Sequence, residues 1–421
     1  MKKLLISGLM SIALSCAPVK KRLHKDIGKI LKTEFYKNQF TGLLVIDSDT
    51  RDTIYDRHSA KYFTPASNTK IFTLYTALKA LPKKIPALKY IFKNDTLFFE
   101  GTGDPSFLHP HLKDSTAYSF LRQYKNLAFF ADNFEDTPWG AGWSWDDFQW
   151  YYSPERNAFP VYGNVTSISS APTRRVSPTY FKDSIIAKGN TFNREPDKNL
   201  FYFDADRTDT LEVPFKTDHT TIKNILEETL HKNIYEVNAM PNGPKEVLYG
   251  MPSDSLYLRL MHNSDNFIAE QLLLLSASQW TDTLNGKLAR NKVLRDFLTD
   301  VPQRPRWVDG SGLSRYNLFT PRSMVYVLEK LYREIPKEQL FNIFPAGGVS
   351  GTLSDWYGGN GKPYIYAKSG SLGNNYCLSG YLLTKSGKVL IFSFMNNHFK
   401  HPNTEVKQRM QDIFEALRDG Y

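Results

Sequence analysis

The sequence predicts an α/β (α+β) protein in which an antiparallel sheet flanked by helices is interrupted by an inserted, strand-rich domain. Two observations predict this architecture. Helices and strands are indicated near both ends of the chain, so both ends can contribute strands to one sheet. The middle of the chain has short strand-like runs, many turn residues and clustered tryptophans. A length of 421 residues is enough for such an insertion.

The N-terminal part alternates between helical and strand-like patterns. Residues 24–36 have apolar side chains on one face of a predicted helix, and residues 41–46 and 53–55 read as paired strands joined by a polar turn. After Pro65-Ala66-Ser67, apolar residues recur at helical spacing through Leu81. This part therefore supplies two strands and two helices.

The remaining chain divides at about residue 245. Residues 82–245 contain the predicted strands 96–99 and 211–213 and the four tryptophans of residues 139–150. After them, helical patterns return and two strands precede a closing helix. The predicted helices are 256–261, 269–275, 321–331 and 404–417, and the predicted strands are 376–383 and 389–395.

Composition indicates a globular protein with a substantial core. Hydrophobic residues make up 41% and charged residues 23% of the chain, which argues against disorder. The net charge is +10, but the basic residues are scattered and no nucleic-acid-binding module is recognisable. We therefore expect no nucleic acid as partner. An anionic cell-wall polymer or a membrane face would explain the same charge.

The first residues predict export. Lys2 and Lys3 precede an apolar run, residues 4–14, that is too short to span a bilayer. Residues 1–15 are therefore predicted to be a secretory signal. Small residues in Ala13-Leu14-Ser15 fit ordinary cleavage, whereas Cys16 fits a lipoprotein signal, although Ala13 stands where leucine is more usual. We favour lipidation of Cys16, which predicts a periplasmic protein anchored to a membrane.

No cofactor or metal is expected. The sequence has neither H-E-x-x-H nor a P-loop, and His109 and His111 have no evident third ligand. Gly348-Val349-Ser350-Gly351 falls short of a nucleophile elbow because Thr352 stands where glycine is needed. Cys377, the other cysteine, lies in an apolar stretch and is predicted to be a buried free thiol.

The first candidate for catalysis is Ser67-Asn68-Thr69-Lys70. On a helix, positions i and i+3 share a face, so the ammonium group of Lys70 can reach the hydroxyl of Ser67. Pro65 suits a helix start, where the backbone favours negative charge. Taken alone, the pattern is also compatible with a capped helix that carries a surface lysine.

Two further elements follow in the C-terminal part. Ser264-Asp265-Asn266 could simply cap a helix, because all three residue types favour that position. Lys368-Ser369-Gly370 follows the strand-like residues 364–367 and is itself followed by Ser371. Lys385-Ser386-Gly387 has the same letters, but it lies between two hydrophobic runs and is predicted to be an exposed hairpin turn.

The ordered set of these elements matches the S-x-x-K, S-D-N and K-T-G motifs of penicillin-binding proteins and serine β-lactamases. The chain resembles the class C low-molecular-mass penicillin-binding proteins, the D-alanyl-D-alanine carboxypeptidase/endopeptidase family. Ser369 stands where that family usually has threonine. Other strings that support the resemblance are Gly103-Asp104-Pro105, Ala269-Glu270, Asp309-Gly310-Ser311-Gly312-Leu313-Ser314-Arg315 and Gly348-Val349-Ser350-Gly351-Thr352-Leu353.

The resemblance implies a penicillin-binding-protein/β-lactamase-like catalytic domain formed by residues 16–81 and 246–421, with residues 82–245 inserted. It also implies a serine D,D-carboxypeptidase or D,D-endopeptidase that acts on peptidoglycan peptides ending in D-Ala-D-Ala and is trapped by β-lactams. A related β-lactamase and a non-enzymatic cell-wall-binding protein remain as alternatives. The first would turn penicillin over rapidly, and the second would release no D-alanine.

The resemblance further implies a role for each motif residue. Ser67 is the nucleophile, Lys70 the general base, and Ser264 the relay of the proton to the leaving amine. Burial and the charge of Lys368 are expected to lower the pKa of Lys70. The remaining roles concern the substrate. Asn266 binds its amide and holds Lys70, and Lys368 and Ser369 bind its carboxylate. Gly370 and Ser371 also bind the substrate, and the N–H groups of Ser67 and Ser371 form the oxyanion hole.

Overall fold

The computed structural model describes residues 19–170, 173–359 and 361–421. The predicted signal peptide and Cys16 lie outside the described residues. Within them, no helix has the length and apolar character needed to cross a membrane.

The described residues form helices α1–α11 and strands β1–β15. The helices are α1 (19–31), α2 (Glu34–Lys37), α3 (Lys70–Ala80), α4 (Thr116–Arg122), α5 (His219–Leu230), α6 (Ser253–His262), α7 (Asn266–Ala277), α8 (Gly286–Asp296), α9 (Pro321–Glu334), α10 (Lys337–Ile343) and α11 (Asn403–Gly420). The strands are β1 (Phe40–Asp47), β2 (Thr53–Arg57), β3 (Lys84–Lys93), β4 (Thr96–Gly101), β5 (Asn126–Phe130), β6 (Val165–Ser169), β7 (Arg175–Ser177), β8 (Ile185–Ile186), β9 (Phe201–Tyr202), β10 (Leu211–Pro214), β11 (Ile234–Glu236), β12 (Glu246–Pro252), β13 (Ile365–Leu372), β14 (Asn375–Leu383) and β15 (Val389–Asn397). Short 3-10 helices span Ala66–Thr69, Trp145–Gln149, Tyr162–Asn164, Thr179–Ser184 and Gly351–Leu353.

The central sheet is built from both ends of the chain, as the sequence predicts. Its strand order is β13-β14-β15-β1-β2, and all neighbouring pairs are antiparallel. Phe40 of β1 pairs with Asn397 of β15, and Asp47 pairs with Leu390. The sheet therefore joins the N-terminal and C-terminal segments directly.

Helices cover both faces of this sheet because its strands are apolar on both sides. In β1, Leu44 and Ile46 pack into a core with α3, α6, α7, α8, α9 and α10, whereas Leu43 and Val45 pack against α1 and α11. Every residue of α7 after Asn266 is buried. This central helix consequently gives the motif at its N-terminus a rigid support.

The middle segment forms its own core around a five-stranded sheet. The strand order is β11-β5-β4-β3-β12, in which β5 is parallel to β4 and β11 while the other pairs are antiparallel. Strands β10-β6-β7 and β8-β9 form two smaller sheets. Because β12 pairs with β3, residues Glu246–Pro252 belong to the sheet of this segment, although the predicted boundary lies at residue 245.

Several elements differ from the sequence-based prediction. The helix predicted for residues 24–36 is divided at Thr33, which is extended (ψ 162°) and donates a hydrogen bond from its hydroxyl to the carbonyl oxygen of Ile30 (2.7 Å). Helix α5 was not predicted, although Asp218 caps it and four of its apolar residues are buried. By contrast, residues 384–388 do join β14 to β15 as the predicted hairpin turn.

The described cysteine, Cys377, is a buried free thiol, which confirms the prediction. Burial raises its pKa to about 12.

Candidate active site

The Ser67 motif lies at the start of a buried helix. Ser67 is part of the 3-10 helix Ala66–Thr69, and Lys70 begins α3 directly after it. The two side chains share a face, as predicted, and the Nζ of Lys70 lies 3.0 Å from the Oγ of Ser67. Lys70 is fully buried, so the alternative of a surface lysine is wrong.

The Ser264-Asp265-Asn266 motif combines a helix cap with two site residues. Asp265 caps α7 by accepting a hydrogen bond from the N–H of Ile268 (3.0 Å). Ser264 has a left-handed backbone (φ 55°). Asn266 places its Oδ1 2.6 Å from the Nζ of Lys70, and Ser264 places its Oγ 2.8 Å from the Nζ of Lys368. The helix-cap interpretation therefore holds for Asp265 alone, whereas Ser264 and Asn266 contact the two lysines of the site.

Strand β13 brings Lys368-Ser369-Gly370-Ser371 to the same place. Lys368 donates hydrogen bonds from its Nζ to Ser264 and to the carbonyl oxygen of Ser369 (2.7 Å). The amide of Asn68, beside Ser67, donates to the carbonyl oxygen of Lys368 (2.9 Å). A Cβ on Gly370 would lie 2.7 Å from the carbonyl oxygen of Pro65, so glycine permits this close approach.

The hydroxyl groups of β13 have polar neighbours. The Oγ of Ser369 lies 2.7 Å from the Oγ1 of Thr352, and the Oγ of Ser371 accepts a hydrogen bond from Asn403 (3.2 Å). The predicted site residues of the described chain thus lie where β13, the Ser67 helix and the start of α7 meet. The two lysines and Asn266 link these elements through hydrogen bonds.

Burial makes both lysines readily deprotonated. Desolvation lowers the pKa of Lys70 to about 8, against the opposing charges of Asp309, Glu270 and Asp265. Desolvation also holds the pKa of Lys368 well below its usual range, and the charge of Lys70 lowers it further. Lys70 can therefore supply a neutral amine close to neutral pH, as a general base for Ser67 requires.

The pH dependence of acylation follows from this lowered pKa. The ammonium form cannot accept a proton from Ser67, so the rate should rise about tenfold per pH unit below the pKa of Lys70 and level off near pH 8. The measurement is the rate of covalent labelling by benzylpenicillin between about pH 5 and pH 9. A rate that does not change with pH below pH 8 would contradict the assignment of Lys70 as base.

Several residues around the site were not assigned a role from the sequence. The backbone carbonyl of Ser311 accepts a hydrogen bond from Lys70 (2.6 Å), and its N–H donates to buried Glu270 (2.7 Å). Asp309 accepts hydrogen bonds from the indole of Trp143 and the N–H of Gly312. These residues lie in two strings that are recognisable in the sequence, Ala269-Glu270 and residues 309–315. A hydrogen bond to a backbone group can be made by any residue type, so the sequence does not reveal it.

The described residues contain no group of three or more His, Cys, Asp or Glu side chains arranged to hold a metal ion. His109 is mostly buried, and desolvation lowers its pKa to about 4, so its imidazole is neutral near pH 7.

Comparison with known proteins assigns the chain to a family. The model of the D-Ala-D-Ala carboxypeptidase 3 (S13) family matches residues 23–240 and 247–418. The chain belongs to this family. Its membership confirms the predicted family and the prediction of a serine D-Ala-D-Ala carboxypeptidase.

Individual relatives of this carboxypeptidase-family protein match most of its length. It is 24% identical to the D-alanyl-D-alanine carboxypeptidase DacB of Haemophilus influenzae, over 90% of each chain. It is also 24% identical to the D-alanyl-D-alanine carboxypeptidase of an Actinomadura species, over 90% of this chain and 82% of the relative. The crystal structure of penicillin binding protein 4 from Haemophilus influenzae superposes with a TM-score of 0.74 at 20% identity, covering 93% of this chain and 99% of that one. The predicted fold, a penicillin-binding-protein-like domain with an insertion, is thereby confirmed.

Proposed function

We propose that this protein removes D-alanine from peptidoglycan peptides ending in D-Ala-D-Ala through an acyl-enzyme on Ser67. The observation that carries the proposal is the placement of the Ser67 hydroxyl 3.0 Å from a buried lysine whose pKa is lowered to about 8. A serine hydroxyl needs such a base to act as a nucleophile near neutral pH.

Acylation begins when neutral Lys70 takes the proton of Ser67 and the Oγ attacks the carbonyl carbon of the D-Ala-D-Ala bond. The backbone N–H groups of Ser67 and Ser371 stabilise the resulting oxyanion, where one donor contributes about 3 kcal/mol. Ser264 relays the proton to the leaving amine. Ser264 accepts a hydrogen bond from the Nζ of Lys368 (2.8 Å), which leaves its own hydroxyl hydrogen available for the leaving amine.

The terminal carboxylate is held on the β13 side of the cleft. Lys368 and the hydroxyl of Ser369 bind it, and Asn266 hydrogen-bonds the peptide amide of the substrate. A bound carboxylate restores the charged form of Lys368, because a nearby negative charge opposes the effects that lower its pKa. Ser369 supplies the hydroxyl group that threonine more usually supplies.

Water then hydrolyses the ester on Ser67. The identity of the leaving amine defines the activity: D-alanine gives carboxypeptidation, and the amine of a cross-bridge gives endopeptidation. A β-lactam acylates the same hydroxyl without releasing a leaving group, so the adduct persists.

The test is product analysis with uncross-linked and cross-linked muropeptides. Wild-type protein should release D-alanine from the former, detected by mass, and Ser67→Ala should release none. Monomers formed from cross-linked dimers would add endopeptidase activity. Equal product from the wild type and Ser67→Ala would refute the assignment, and rapid penicillin hydrolysis without D-alanine release would favour a β-lactamase.

We also propose that residues 16–81 and 253–421 form the catalytic domain around residues 82–252, because β12 (Glu246–Pro252) pairs with β3 of the inserted segment. We propose further that the protein is exported to the periplasm with a lipid on Cys16. The positive start and short apolar run support export. Mass spectrometry of the mature N-terminal peptide tests the lipid: a diacylglyceryl-modified Cys16 supports it, and an unmodified cysteine refutes it.

A further inference from the structure

Lys70 has three hydrogen-bonding partners, and two of them are fixed acceptors. Its Nζ lies 2.6 Å from the Oδ1 of Asn266, 2.6 Å from the carbonyl oxygen of Ser311 and 3.0 Å from the Oγ of Ser67. A neutral lysine amine has two hydrogens and one lone pair. If both acceptors take a hydrogen, the lone pair is directed at the remaining partner, the hydroxyl of Ser67. The positions of the two acceptors therefore set the direction in which Lys70 acts as base.

Residues of the inserted segment hold both acceptors. Asn266 donates a hydrogen bond from its Nδ2 to the backbone carbonyl of Tyr152 (2.9 Å). Ser311 donates its N–H to the Oε1 of Glu270 (2.7 Å), and the other oxygen of Glu270 accepts from the Nη1 of Arg156 (3.2 Å). Tyr152 and Arg156 precede β6, whereas Asn266 and Ser311 flank the catalytic cleft.

The Arg156–Glu270 pair is buried and anchored. The side chain of Arg156 is 4% exposed and that of Glu270 is 1% exposed. Arg156 also donates hydrogen bonds to the carbonyl oxygens of Thr137 (2.9 Å) and Trp139 (3.1 Å) and pairs with Asp136. One planar guanidinium thus joins the loop of residues 136–139 to α7, a geometry that a lysine ammonium does not reproduce.

We infer that Arg156 and Glu270 are positioning residues for catalysis: they hold the carbonyl of Ser311 so that the amine of Lys70 is aimed at Ser67. This inference rests on the proposed acylation of Ser67. It gives the inserted segment a role in the chemistry besides any contact with substrate.

The charges around the pair predict how a variant should behave. Lys70 faces Asp309, Glu270, Asp265 and Lys368. Glu270 in turn interacts with the charges of Asp309, Arg156 and Arg290. Because the charge of Glu270 holds the pKa of Lys70 up, neutralising it should lower that pKa.

The test compares Glu270→Gln with a matched control, Glu329→Gln. Glu329 is a buried carboxylate of α9 that pairs with Arg51 (2.6 Å) away from the cleft. Two quantities are measured: the pKa of Lys70, from NMR titration of ¹³C-labelled lysine assigned with Lys70→Met, and the plateau rate of acylation by benzylpenicillin at high pH.

For Glu270→Gln we expect the pKa of Lys70 to fall and the plateau rate of acylation to fall about tenfold. Glu329→Gln should change neither quantity. An unchanged pKa or an unchanged plateau rate in Glu270→Gln would overturn the inference, as would equal changes in Glu329→Gln. Absence of acylation in the wild type would instead refute the proposed function. In that case the titration would still show whether the charge of Glu270 raises the pKa of Lys70.

Arg156→Lys provides a second variant that keeps the charge. We expect a plateau rate at least about fivefold lower, with the pKa of Lys70 close to that of the wild type, because the geometry is lost but the charges remain. Acylation at the wild-type rate would contradict a positioning role for Arg156.

Discussion

Replacing Lys70 by methionine should slow the acylation of Ser67 by benzylpenicillin by about a thousandfold or more. Methionine has a similar volume but no basic nitrogen, so nothing 3.0 Å from the Ser67 hydroxyl remains to accept its proton. The measurement is the rate of covalent labelling, followed by intact-protein mass spectrometry over hours.

The matched control for this variant is Lys79→Met in the last turn of the same helix. Lys79 is partly exposed and forms an ion pair with Glu334 (2.7 Å), which is not one of the motif residues. We expect it to acylate at the wild-type rate. Acylation of Lys70→Met within tenfold of the wild type would mean that another group deprotonates Ser67, and the mechanism would have to be reassigned.

Replacing Gly312 by alanine should destabilise the fold by at least about 3 kcal/mol and greatly reduce acylation. Gly312 has a left-handed backbone (φ 88°), and a Cβ there would overlap the carbonyl oxygen of Ala66 and crowd the N–H of Ser67. The clash falls on the peptide group that joins Ala66 to Ser67, the proposed nucleophile. Denaturant unfolding and penicillin labelling measure the two effects.

Gly387→Ala separates the cost of the backbone conformation from the cost of the clash. Gly387 has nearly the same angle (φ 85°) in the β14–β15 turn, and a Cβ there would meet nothing within 4 Å. We expect a loss of only about 1 kcal/mol and unchanged labelling. An equal loss of stability in both variants would show that Gly312 is constrained by its angle alone.

The sequence was sufficient to predict the central sheet and the motif residues. Alternating and continuous apolar runs identified β1, β14 and β15, because these strands are buried by helices on both faces. The motif residues could be singled out because each role proposed for them demands a specific side chain in an ordered motif: Ser67, Lys70, Ser264, Asn266 and Lys368. Such motifs can be recognised in a sequence without knowledge of the fold.

Other features could not be predicted because they depend on backbone positions or long-range packing. The acceptor on Ser311 is a carbonyl that every residue has, and the need for glycine at position 312 arises from the approach of Ala66. Arg156 reaches Glu270 only after the inserted segment folds against α7. The parallel pairing of β5 with β4 likewise follows from tertiary packing and not from any local pattern.

The central claim is that the hydroxyl of Ser67 is the group that is acylated, in a site formed with Lys70, Lys368 and Asn266. Its most direct test is to identify the residue to which benzylpenicillin becomes covalently attached. Wild-type protein is incubated with benzylpenicillin, digested, and its peptides are sequenced by mass spectrometry. We predict that the full mass of the antibiotic is carried by the peptide containing Ser67, on that residue alone, and that Ser67→Ala carries none. An adduct on a different residue, or one that persists in Ser67→Ala, would contradict the account.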